Sequence, residues 1–137
     1  MRILHILDHS LPLQSGYVFR SMGILHEQRA RGWETLQLTT PKHYANSAPR
    51  ETIGEWEFHR TPRPNGLASK LPVFDQLSVI TATAARLREL VQDFRPDILH
   101  AHSPVLNAMA AFEVAADFGL PVVYEVRSFW EDAALEH

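Results

Sequence analysis

A doubly wound α/β fold on a parallel sheet is what this sequence predicts, and three observations predict it. Short apolar runs rich in β-branched residues alternate with longer segments whose hydrophobic residues recur every three or four positions. The long segments close on recognisable stops, Gly32, Arg95-Pro96 and Gly119. Strand–helix–strand–strand–helix–strand–helix–strand is the resulting order, which a parallel sheet covered by helices on both faces accommodates.

The first strand is Arg2 to Leu7, an apolar run of the kind found in a buried central strand. Asp8 to Gly16 is a polar loop holding Pro12, Ser15 and Gly16, and Tyr17 to Arg31 reads as a helix facing inward through Val18, Met22 and Leu25. Trp33 to Thr39 is the second strand. Residues 40–52 carry Pro41, Asn46, Ser47 and Pro49 and read as a loop. Trp56 to Arg60 alternates as a short third strand, and Thr61 to Leu71 returns to loop around Pro62, Pro64 and Asn65-Gly66.

A long helix is predicted over Val73 to Phe94, with a core stripe of Phe74, Leu77, Ile80, Ala84, Leu87, Val91 and Phe94. Asp97 to His102 is the fourth strand. Ser103 is placed as the cap and Pro104 as the first residue of a helix ending at Phe118, with Gly119 as its stop. Leu120 to Val126 is the fifth strand. A Rossmann-like sheet order of about 3-2-1-4-5 follows, with ligands expected at the carboxyl ends of the first and fourth strands, where the winding reverses.

Composition narrows the function. The 137 residues are 45% hydrophobic and 21% charged, as in a folded globular chain. Thirteen Lys and Arg against sixteen Asp and Glu give a net charge of −3, against the strongly basic balance of a nucleic-acid binder. No cysteine is present, which removes disulfides, thiolate nucleophiles and Cys-held metals. No apolar run approaches the roughly 20 residues that span a bilayer. The chain is therefore expected to be cytoplasmic.

Several motifs of this fold class do not occur: no G-x-G-x-x-G follows the first strand, and there is no phosphate-binding G-x-x-x-x-G-K-[ST], no G-x-S-x-G and no D-x-D. The first switch loop offers Ser15-Gly16-Tyr17-Val18-Phe19-Arg20 instead. Gly16 either marks a plain turn or leaves room for an anion such as a diphosphate at the positive end of a helix. Ser15 and Arg20 flank it as candidate substrate contacts.

The second switch loop is His100-Ala101-His102-Ser103-Pro104. The two histidines share a strand face. They form a metal pair, or else His100 packs within the fold while His102 points into the crevice to bond sugar hydroxyls or assist proton transfer. Tyr124 to Asp132 then crowds charged and aromatic groups at the same sheet edge, either as a sugar site or as surface that packs, through Phe129 and Trp130, on a second domain. The basic residues of the 40–72 loops form an ordinary solvated face or meet lipid phosphates.

These residues resemble the N-terminal half of a retaining GT-B glycosyltransferase of family-four type. The resemblance runs from Met1 to about Ala134, through Ser15-Gly16, Gln28-Arg29-Ala30-Arg31-Gly32-Trp33-Glu34, Pro96 to Pro104 and Pro121 to Arg127. Asp8 to Ser21 and Arg127 to Asp132 resemble a bacterial subgroup found with exosortase and exopolysaccharide gene clusters. The resemblance implies an acceptor-side domain facing a donor-binding C-terminal domain, using a nucleotide sugar without metal or other cofactor. It implies that Gly16 approaches the donor diphosphate, that His102 reaches the donor sugar near the reacting carbon, and that Arg127 and Glu131 line the acceptor side. Ser15 stands where many members have a first glycine.

A polysaccharide or lipid-linked acceptor and peripheral contact with the inner membrane belong to the same expectation. Leu135-Glu136-His137 reads as the start of a purification tag, so the natural domain is expected to span 1–134 and to be inactive alone. The rivals are one half of a nucleotide-sugar 2-epimerase and a non-catalytic flavodoxin-like binding module.

Overall fold

The computed structural model describes residues 1–43, 48–64 and 72–127, the side chains of 72–74 excepted. Glu131, Phe129, Trp130, the side chain of Phe74 and the terminal tripeptide lie outside these residues. The elements are β1 (Arg2–Leu7), α1 (Gly16–Ala30), β2 (Glu34–Thr39), β3 (Arg50–Ile53), β4 (Trp56–Arg60), α2 (Pro72–Phe94), β5 (Ile98–His102), α3 (Val105–Phe118) and β6 (Val122–Glu125). They form one sheet in the order β3-β4-β2-β1-β5-β6, parallel except for the β3–β4 pair.

The predicted order of the five parallel strands is the one observed. The correction is β3, which falls largely in the predicted loop. Its four residues, Arg50-Glu51-Thr52-Ile53, carry no apolar periodicity, and they become a strand because Gly54, at φ 61°, turns the chain back onto β4 with Ile53 opposite Trp56. A short, charged strand suits the sheet edge it occupies.

Successive strand residues face opposite sides, so Leu4, Ile6, Leu38, Leu99 and Ala101 pack together against Ala84, Leu87, Leu90 and Val91 of α2 and against α3. The alanines of α3, at 108, 110, 111 and 115, let that helix sit close to both. The buried arc of α2 centres between Val79 and Val91. Leu77 lies about 90° from that centre on a 3.6-residue helix and is 52% exposed, outside the stripe predicted for it. No described helix is long and apolar enough to cross a membrane.

The opposite face is polar where it meets α1. Gln37, His5 and His100 stand in register across β2, β1 and β5, and α1 turns Val18, Ser21, Leu25 and Gln28 toward them. Beyond this row Leu25 packs on Trp56 and Phe58.

Ser103 is not the cap of α3. That helix starts without a side-chain cap, while the Ser103 hydroxyl donates to the Glu125 carbonyl and accepts from the Arg127 amide, tying the end of β6 to β5. Gly119 stops α3 in the left-handed conformation, φ 66°, as predicted.

Candidate functional site

A cavity of about 690 Å³ opens at the carboxyl ends of β1 and β5, where the winding reverses. The loop after β1 supplies Asp8, His9, Ser15 and Tyr17; the loop after β5 supplies Ser103, Pro104, Val105 and Leu106; Lys42, Gln76 and Arg127 complete the wall.

Ser15 caps α1 by accepting the Val18 amide at 3.2 Å. The Gly16 and Tyr17 amides, next in line at the positive end of the helix, make no hydrogen bond to any described residue. A Cβ built on Gly16 meets nothing within 4 Å. Glycine here is demanded neither by a left-handed backbone nor by a neighbour, so its effect is to leave the space before these amides open.

His9 stands beside them. Its Nδ1 lies 2.8 Å from Asp8 Oδ2 and its Nε2 lies 3.0 Å from the Ser15 hydroxyl, with the ring stacked on Tyr17 at 4.7 Å between centroids. Tyr17 joins the two switch loops. Its hydroxyl accepts the Asp8 amide at 2.9 Å and donates to the Ser103 carbonyl at 2.7 Å, while burial pushes the phenol well above its ordinary range and keeps it a neutral donor. Tyr17→Phe leaves both backbone groups without this partner, and the expected loss is about 1–3 kcal/mol, read from urea unfolding. An unchanged midpoint would show that water replaces the hydroxyl without cost.

His102 is 1% exposed and does not line the cavity, a correction to the expectation that it points into the crevice. The carboxyl end of β5 turns it under α1, where it enters a buried chain of polar groups. His102 Nε2 lies 2.9 Å from His5 Nδ1, and His5 Nε2 lies 2.7 Å from Gln28 Oε1. His102 Nδ1 faces both Arg127 Nη2 at 2.5 Å and Glu125 Oε2 at 3.1 Å.

Both histidines are neutral in this arrangement. Burial lowers His102 to about 4, and it lowers His5 well below the ordinary imidazole value, the neighbouring rings adding to the effect. His100 stacks on His102 at 4.2 Å with 4° between planes. His5, His100 and His102 bring nitrogens within 4.8 Å of one another. The lone pairs of two parallel stacked rings do not converge on one centre, however, so the arrangement as it stands does not fit a metal.

Arg127 is the fastening of this region. Its guanidinium donates to Glu125 at 3.0 Å, to the Tyr17 carbonyl at 2.7 Å and to Ser21 at 3.0 Å, and lies 4.1 Å over the Tyr17 ring. The side chain is 8% exposed, so its charge is spent inside the protein although the residue borders the cavity. Glu125 is held well below the carboxylate range by its contact with His102 and, against the opposing effect of burial, by Arg127. Arg20 is 60% exposed on the outer side of α1, pairs with Glu125 at 3.2 Å and forms no part of the cavity wall.

The structure therefore brings Ser15, Gly16 and Arg127 to the switch point, turns His102 behind it and leaves Arg20 outside it. Asp8, His9 and Tyr17 were missed, although an acid–histidine pair directly after a central strand and six residues before a helix cap is a signal available in the sequence.

Residues 15–137 match the glycosyl transferase 4-like domain. No curated protein matches the chain. Among solved structures, sucrose-phosphate synthase from Thermosynechococcus elongatus superposes with a TM-score of 0.66 at 13% identity, over 93% of this chain and 33% of that one. The Streptomyces glycosyltransferase SsfS6, in complex with thymidine diphosphate, gives 0.60 at 18% identity, over 92% and 38%. The C-terminal domain of a hydrogenase from Pyrococcus furiosus gives 0.61 at 16% identity, over 90% and 89%. At these identities the likeness is one of fold. The chain spans well under half the length of the first two.

Proposed function

The chain belongs to the glycosyl transferase 4-like domain family, and from that premise we propose that it is the N-terminal, acceptor-side half of a GT-B glycosyltransferase. Residues 1–134 form this domain, and a donor-binding domain follows it in the whole protein. The enzyme takes a nucleotide-sugar donor, retains the anomeric configuration and needs no metal or other cofactor. It transfers a sugar to a polysaccharide or lipid-linked acceptor in bacterial exopolysaccharide synthesis, in the cytoplasm at the inner membrane.

The observation that carries the reading is the cavity at the switch point of a domain of this family, walled by Ser15 and Tyr17 at the start of α1, where the Gly16 and Tyr17 amides make no hydrogen bond to described residues. Such a helix terminus favours the negative charge of a diphosphate leaving group. The thymidine diphosphate held by SsfS6 supports a nucleotide-sugar partner. Retention rests on the family resemblance from Met1 to about Ala134, and the exopolysaccharide role on the closer resemblance of Asp8 to Ser21 and of Arg127 to Asp132.

The test is Gly16→Leu in the full-length protein. The side chain enters open space, so the fold is expected to keep its melting temperature while KM for the donor rises at least tenfold; an unchanged KM removes Gly16 from the donor site. An isomerised nucleotide-sugar donor with no acceptor consumed would identify a 2-epimerase instead. Residues 1–134 alone are expected to transfer no sugar.

A further inference from the structure

Asp8, His9 and Ser15 stand in the relation that acyl-transfer chemistry requires of an acid, a base and a nucleophile. Asp8 Oδ2 lies 2.8 Å from His9 Nδ1, which fixes the proton on that nitrogen and leaves the lone pair on Nε2. Nε2 lies 3.0 Å from the Ser15 hydroxyl, within reach of its proton. The three residues share the wall of the 690 Å³ cavity. Two further features complete a reaction centre. The Val18 amide donates to the Ser15 oxygen and holds the hydroxyl in place, while the Gly16 amide, unbonded to described residues, lies one residue after the nucleophile, where an oxyanion needs a donor.

We infer that this trio forms a serine hydrolase centre for small carboxylic esters, a second activity that shares the cavity and the Gly16 amide with the proposed donor site and does not rest on that reading. Ser15 Oγ attacks the ester carbonyl carbon and passes its proton to His9 Nε2. The tetrahedral oxyanion rests on the Gly16 amide. As the carbon–alkoxy bond breaks, His9 returns the proton to the leaving alcohol, and Ser15 is left acylated. Water, deprotonated by His9, then attacks the acyl carbon; the acid leaves and Ser15 regains its proton. One ester and one water give one acid and one alcohol. Pro104, Val105 and Leu106 provide an apolar wall suited to a short acyl chain.

The experiment uses the 137-residue chain with two probes, a fluorophosphonate and p-nitrophenyl acetate. Ser15→Ala removes the helix cap as well as the nucleophile, so the decisive variant is Ser15→Asn, which keeps a capping oxygen and has no hydroxyl. Fluorophosphonate is expected to add one phosphonyl group, mapped to Ser15 by peptide mass spectrometry, and to leave Ser15→Asn unlabelled. Hydrolysis of p-nitrophenyl acetate is expected to fall roughly a hundredfold in Ser15→Asn and in His9→Gln, toward the background of the surface histidines. The proposal is overturned if Ser15 stays unlabelled in the folded chain, or if Ser15→Asn, with an unchanged circular dichroism spectrum, hydrolyses the ester at the parent rate.

Discussion

Acidification from pH 7 to pH 4 is expected to remove about 3 kcal/mol of stability through His102 alone, a large share of the roughly 5–15 kcal/mol that keeps a protein of this size folded. The group is buried and neutral, and its affinity for protons is lowered from 6.5 to about 4. An unfolded chain takes up a proton at this position near pH 6.5, whereas the folded one resists until about pH 4. Between those values the unfolded state binds more protons, so stability falls as pH falls, and the loss levels off once both states are charged. Some 2.5 pH units at about 1.4 kcal/mol each give the figure.

His5 acts in the same direction, its affinity lowered first by burial and then by the two rings beside it. Glu125, whose carboxyl is held below its ordinary value, adds a further loss as acid approaches its depressed range. Urea unfolding at pH 7.5, 6, 5 and 4.5 measures the slope, and a flat profile across that range would overturn the neutral assignment of the pair. A His102→Gln variant removes one titrating group and is expected to reduce the slope by its share, leaving those of His5, His43, His59 and His100, while lowering stability at pH 7.5.

Arg127→Met is expected to cost about 3–5 kcal/mol at neutral pH, the range for removing one partner of a buried charge pair. Methionine preserves much of the stem but none of the bonds to Glu125, the Tyr17 carbonyl, Ser21 and His102. Among the described residues, the Glu125 carboxylate keeps only Arg20 as a cationic neighbour, from an exposed position. Arg127→Lys is expected to recover little, because one ammonium cannot reproduce a planar fork that bonds in four directions. Arg20→Gln is the control and is expected to lie within about 0.5 kcal/mol of the parent, as exposed ion pairs do. Equal losses at the two positions would place the stabilising charge on the surface rather than in the buried cluster.

Much of the scaffold was legible because burial leaves a periodic trace. Leu4, Ile6, Leu38, Leu99 and Ala101 all read as strand interior, and the winding order followed from the alternation they set up. The short β3 was not legible, since a charged edge strand leaves no apolar trace and is made by the turn at Gly54. Ser15 and Gly16 were found because a helix start after a central strand fixes their place. His102 was found as a residue and misread as to direction, and the bonds that tie up the Arg127 guanidinium were not foreseen. Which way these two side chains turn depends on Glu125, Ser21 and Gln28, which meet through sheet register and helix rotation. A single stretch of sequence does not encode such a meeting.

The polar seam beneath α1 has a consequence for exchanging parts between related proteins. Greasy helix–sheet contacts tolerate small slips, because one methyl group substitutes for another. Here Tyr17 and Ser21 project from one side of the helix to Ser103 and Arg127 just past the carboxyl ends of β5 and β6, Gln28 projects to His5 in β1, and Arg29 reaches Thr35 beyond them. Rotating the helix by one residue, or advancing it by a turn, breaks these bonds together and offers none in exchange. A chimera carrying α1 from a homologue with an aliphatic underside would strand His5 and Arg127, and the graft would succeed only if the matching sheet positions travelled with it.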